Sequence, residues 1–105
     1  MVLKNLRASP RSTKKYVMTL FDHKTGKKIR DIHFGGIRKD GVPYSQYKDT
    51  TGLGLYTKYD TLDKKKRDAY YKRHKKNYGP YSADSLSKRF LWGKWHKKYI
   101  KIRLY

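Results

Sequence analysis

The sequence predicts an α+β fold, with an N-terminal β-hairpin, a long Gly/Tyr-rich loop, two helices and a C-terminal strand. Three observations carry this expectation. Apolar residues alternate with period two through Tyr16–Phe21 and again through Ile29, Ile32 and Phe34. Residues 60–78 and 82–93 carry helix start and stop residues at both ends. The stretch between hairpin and helices, 35–59, holds five of the eight glycines and no regular period.

Residues 1–14 are expected to form a basic arm ahead of a single domain at 15–105. Pro10, Ser9, Ser12 and Thr13 interrupt any period there, and the arm through Lys15 carries five cations and no acid. Such an arm is disordered or laid along a partner. In the first strand Tyr16, Met18 and Leu20 share one face, with Val17, Thr19 and Phe21 on the other. Asp22 to Gly26 makes the turn, and Lys28 to Phe34 returns as the second strand.

The loop 35–59 presents Tyr44, Tyr47, Tyr56 and Tyr59, with Ile37, Leu53 and Leu55. Ordering it costs about 1–2 kcal/mol of backbone entropy per residue. If it is ordered, the two helices or a partner protein must cover those side chains. The first helix is expected from Asp60 to Tyr78, capped by Asp60 or Thr61 and stopped by Gly79-Pro80. Leu62, Ala69 and Tyr70 form a narrow apolar seam opposite a wide basic face. Ser82 caps a shorter helix whose inner face is Leu86, Phe90 and Leu91, ended by Gly93. The tail from Trp95 alternates through Ile100, Ile102 and Leu104 as a strand.

Length limits the chain to one modest core: 105 residues, with 28 Lys+Arg against 8 acids and a formal net charge of +20. A compact state repels itself at that charge, so an anionic partner is the simplest reason to keep it. The cations are 20 Lys and 8 Arg. Lysine is a flexible point charge, so the balance favours phosphate-backbone contact over base reading. Eleven Tyr, 3 Phe and 2 Trp are too many aromatics for a disordered basic tail. With no cysteine there is no disulfide framework and no thiolate metal site. No apolar run is long enough for a signal peptide or a transmembrane segment, and the expectation is a soluble, intracellular chain.

The chemistry of catalysis is missing from the pattern. All eight acids are Asp, and most fall in turns or at helix starts, where short carboxylates cap backbone N–H groups. The four histidines show no metal-ligand spacing, and the serines no nucleophile-elbow sequence. The expectation is a protein that is not an enzyme, with no catalytic or metal-ligating residues, no cofactor and no small-molecule substrate.

The strongest local signal is Lys64, Lys65, Lys66 and Arg67 followed by Lys72, Arg73, Lys75 and Lys76 on one expected helix. A solvated charged helix normally mixes Glu with Lys at i,i+4 spacing, whereas here Asp68 is the one acid inside the basic stretch. The eight cations are therefore candidates for polyanion binding, with Lys4, Arg7, Arg11, Lys14 and Lys15 as contacts from the arm. Tyr71 and Tyr78, interleaved with the basic residues, are candidates for stacking on exposed bases. The same two basic runs resemble a bipartite nuclear localisation signal.

Several segments resemble one known pattern in order: Phe34-Gly35, Tyr44-Ser45-Gln46-Tyr47-Lys48-Asp49, Asp63 to Tyr70, Arg73-His74-Lys75-Lys76 and Leu86 to Trp92. The chain is similar here to a family of short basic proteins encoded by nucleocytoplasmic large DNA viruses, among them giant and algal viruses. That family shows an aromatic-Gly step, a Tyr-rich segment, an Arg-x-x-Tyr-x-x-Arg-His helix and a Leu-Ser-Arg…Leu-Trp helix. The chain departs from it at Gly52–Tyr59, at Tyr78-Gly79-Pro80-Tyr81 and after Gly93. The resemblance implies a virion-associated basic protein, present in the host cytoplasm or nucleus during infection. The resemblance supplies that context and no mechanism; together with the charge of +20 and the excess of Lys over Arg, the expected partner is nucleic acid, packaged viral DNA gripped without sequence specificity. The alternative is a minor capsid or cement structural protein that bridges viral capsid proteins, or the capsid and its interior.

Overall fold

The computed structural model describes residues 1–76 and 78–93. The expected C-terminal strand falls in 94–105, outside the described residues. The fold is α+β: a three-stranded antiparallel sheet with two helices following it in sequence. The strands are β1 (Val2–Ala8), β2 (Lys14–Phe21) and β3 (Lys28–Gly36), in the order β1-β2-β3. The β2–β3 hairpin lies where it is expected, though β2 starts at Lys14 and β3 runs on through Gly36; it closes at Asp22–Gly26, where the Asp22 carboxylate accepts from the Lys24 and Thr25 amides.

The arm is corrected by the structure. Most of it is β1, laid antiparallel along β2 with Leu3 opposite Leu20 and Ala8 opposite Tyr16. The alternation was hidden by a bulge. The register slips between Lys4 and Arg7, and Asn5 takes φ 62° there, so Leu3 and Leu6 both point inward although three residues apart. Leu3 is fully buried and Leu6 nearly so, which makes the segment part of the core.

One face of the sheet, with Leu3, Leu6, Tyr16, Met18, Leu20, Ile32 and Phe34, packs against Leu86, Phe90 and Leu91. These last three belong to α2 (Ala83–Phe90) and its C-cap, in the expected arrangement. Ser82 caps α2 by accepting from the Ser85 amide. The Phe34 and Phe90 rings stack at 5.7 Å, and the Arg30 guanidinium donates to the Tyr81 carbonyl just ahead of α2. On the opposite face, beside the buried Val17, Arg7 donates to Thr19, and Thr19 donates to Asp31.

The first helix, α1, runs Lys64–Arg73 and is shorter than expected at both ends. Asp63 caps it by accepting from the Lys65 and Lys66 amides, so neither Asp60 nor Thr61 does. Those two residues are engaged elsewhere, since Gln46 donates to Asp60 and the Thr61 amide donates to the Gln46 carbonyl. At the far end Lys75 and Lys76 lie beyond the helix. Leu62 is 61% exposed with φ 51° and takes no part in a seam. Instead Tyr70 stacks on Trp92 at 4.1 Å, and the Arg67 guanidinium lies 4.6 Å over Tyr47. With Lys88 of α2 also placed over the Tyr71 ring, ring contacts hold a helix that has no fully buried residue.

Candidate functional site

The loop 37–63 is ordered from within the chain. Asp49, 8% exposed, is its centre. Its carboxylate accepts from the Tyr16 hydroxyl, the Thr51 amide, the Thr51 hydroxyl (2.6 Å) and the Tyr56 amide. Asp60 accepts from the Asp49 amide and the Gln46 side chain, and Gln46 also donates to the Tyr56 carbonyl. The C-terminal end of α2 closes the loop from the other side. The Leu91 carbonyl accepts from the Tyr47 and Lys48 amides, and the Phe90 carbonyl from Thr50.

Lys15 belongs to this network, which corrects its place among the polyanion contacts. It is 2% exposed, and its Nζ donates to the Tyr44 carbonyl at 2.7 Å and to Gln46 Oε1 at 2.8 Å. Burial pushes its pKa down to about 8, against the pull of Asp49 and Asp60. Burial and the bond to Asp49 push the Tyr16 hydroxyl up.

A pH dependence follows from these shifts. Between pH 8 and 10 the unfolded chain holds the Lys15 proton more tightly than the native one, so this group's contribution to stability rises with pH there. Below pH 8 its cost is fully present. Above pH 10 the gain is opposed, because Tyr16 and Tyr70, both raised by burial, ionise more readily unfolded. Lysine Hε signals followed by NMR should show one midpoint near 8, absent from Lys15→Met; uniform titration above 10 would contradict the buried network.

The remaining arm cations differ in availability. Arg7 is bonded to the Asn5 carbonyl and Thr19 and ion-paired with Asp31 at 3.6 Å, while the Lys4 ammonium sits 5.9 Å over Phe21. Asp31 is held down at about 2 by the Thr19 hydroxyl and Lys28. Lys14 is half-buried, and Arg11 is exposed.

On α1 and just beyond it, Lys64, Lys65, Lys66, Lys72, Arg73, Lys75 and Lys76 are all exposed. Arg67 is half-buried against Tyr47, so it is a packing residue as much as a surface charge. Among the described residues none of these eight cations is ion-paired; the pairs fall at Arg7, Lys28, Arg38 and Lys88. Seven of the eight carboxylates are used elsewhere, in the buried network, the Asp22 and Asp40 turns, the Asp63 cap and the Asp31 and Asp84 ion pairs, while Asp68 stands exposed within α1 itself. Lys64, Lys65 and Lys66 also fill the first turn of α1 with no acid among them. Each such cation works against the helix dipole by about 0.3–1 kcal/mol. Stability therefore does not account for their placement.

Of the two stacking candidates, Tyr78 is 61% exposed with the Lys76 ammonium 5.1 Å above its ring. Tyr71 is half-buried, edge-on to Tyr70 and beneath Lys88. Sequence reasoning missed a three-ring stack beside them: Tyr70 lies between Trp92, at 4.1 Å and 8°, and His74, at 4.1 Å and 20°. The i,i+4 spacing of Tyr70 and His74 was its one legible signal.

Among the described residues no group of three or more His, Cys, Asp or Glu side chains is placed to hold a metal ion. No described helix is long and apolar enough to cross a membrane. Comparison with known protein families, characterised proteins and solved structures finds no match to this chain.

Proposed function

We propose that this protein is a non-enzymatic nucleic-acid-binding protein that grips the phosphate backbone without reading sequence. The observation that supports this best is the run of exposed cations on α1 and its C-terminal extension, Lys64–Lys66, Lys72, Arg73, Lys75 and Lys76, none of them ion-paired among the described residues, on a chain of net charge +20. Lysine dominates the run, which suits backbone contact. The resemblance of its motifs to basic proteins of large DNA viruses is the support for a packaged viral genome as the partner and the virion as its place.

The minor capsid reading drew on a loop that needed a partner to order it. Asp49, Asp60, Gln46 and the end of α2 supply that order within the chain, so the nucleic-acid reading is preferred. The test is fluorescence anisotropy with two 20-base-pair duplexes of unrelated sequence at 50 mM salt. Equal affinity within a few-fold is expected; tight binding to one duplex alone, or to neither, would overturn the proposal.

A further inference from the structure

A cleft of about 400 Å³ opens between the sheet and the helices, lined on one side by Gly35, Gly36, Tyr44 and Ser45, and on the other by Tyr70, Arg73, His74 and Trp92. That volume lies within the usual range for small-ligand sites, about 300–1,000 Å³. Three features give the cleft a chemical character.

The first is aromatic. The His74–Tyr70–Trp92 stack lines the helix side, and Tyr44, 58% exposed, lines the sheet side. The Tyr44 ring lies directly on the backbone of Gly36, where a Cβ would stand 2.8 Å from Tyr44 Cδ2. Only a glycine lets the ring lie there. Burial of such a ring on the chain's own core would explain Tyr44, but more than half of it stays open to solvent.

The second is cationic. Arg73 is exposed at the rim, and the Lys15 ammonium lies below. The Lys15 protons are engaged with the Tyr44 carbonyl and Gln46, so Lys15 supplies potential and Arg73 the contact. The third is continuity. Arg73 and His74 are also members of the exposed basic run, so a chain of phosphates following Lys72 to Lys76 passes the mouth of the cleft. His74 Nδ1 donates to the Tyr70 carbonyl at 2.9 Å, which fixes the ring in the stack.

We propose that this cleft takes one unpaired base of a single-stranded nucleic acid, stacked on its aromatic lining with the adjoining phosphate on Arg73. The proposal rests on the backbone-binding function above and adds a strand preference to it. A duplex keeps its bases stacked and paired, so a paired base enters only after costly extrusion, whereas a single strand offers bases freely.

The test uses the full-length protein and three probes of equal length: a thymidine 12-mer, an abasic 12-mer and a 12-base-pair duplex. The first two carry the same phosphates and differ in the bases alone. Stacking is worth about 1–3 kcal/mol per base, so the thymidine strand is expected to bind roughly 5- to 150-fold tighter than the abasic one. Tyr44→Ala should erase that difference and leave duplex binding unchanged, while Tyr44→Phe keeps it. Equal binding of thymidine and abasic strands, with duplex binding intact, would overturn the cleft and leave the backbone reading standing. A thymidine preference untouched by Tyr44→Ala and by His74→Ala would place the stacking elsewhere and overturn the cleft too. Failure of all three probes to bind at low salt would instead sink the backbone reading.

Discussion

Replacing Asp49 by Ala is expected to destabilise the protein by about 3 kcal/mol or more. The change leaves the Tyr16 hydroxyl, the Thr51 amide and hydroxyl and the Tyr56 amide facing a vacated site. An unsatisfied buried donor costs about 1–3 kcal/mol, and four are involved, with partial rescue by water entering the gap. The buried Lys15 ammonium also loses a stabilising charge. Against a total of about 5–15 kcal/mol for a domain, such a loss brings the protein close to unfolding at 37 °C. Tyr16→Phe removes one donor to the carboxylate, which keeps its other partners, and the acceptor of the Leu55 amide, so about 1–2 kcal/mol is expected. Urea unfolding at constant m-value reads both. A loss under 0.5 kcal/mol for Asp49→Ala would show that the loop 37–63 is held by something other than this carboxylate.

The second large effect is on binding. A variant with Lys72, Arg73, Lys75 and Lys76 all changed to Gln should keep its circular dichroism spectrum, because these side chains are exposed and make no ion pair among the described residues. Its melting temperature should hold or rise, since like-charge repulsion is relieved. Nucleic-acid affinity should fall roughly 10²–10³-fold at 0.1 M salt if three of the four cations each neutralise a phosphate. An unchanged affinity would move the grip to Lys64–Lys66 or to Arg11.

What the sequence showed and what it hid follow from the range of the interactions. The β2–β3 hairpin was legible because its period-two alternation and its Asp22–Gly26 turn are local. Ser82 and the inner face of α2 were legible for the same reason. The strand β1 was not, because one bulged residue at Asn5 put Leu3 and Leu6 out of phase. Lys15 read as one more surface cation; its burial depends on Tyr44 and Gln46, some thirty residues away. The cluster Gln46, Asp49, Thr51 and Asp60 in a loop of tyrosines and glycines was the available clue that polar groups were needed inside. The basic run was fully visible in the sequence. The cleft was not, since Tyr44 on Gly36 and Tyr70 on Trp92 meet only in the folded chain.

The central claim, that unpaired surface cations grip a phosphate backbone, is tested most directly by affinity for a random-sequence duplex across a salt series. With six to ten phosphates neutralised, log K should fall linearly against log salt with a slope of about −5 to −9, a loss on the order of 10³–10⁵-fold between 50 and 200 mM. A slope near zero would mean that the cations of α1 are not what holds the nucleic acid, and would contradict the account.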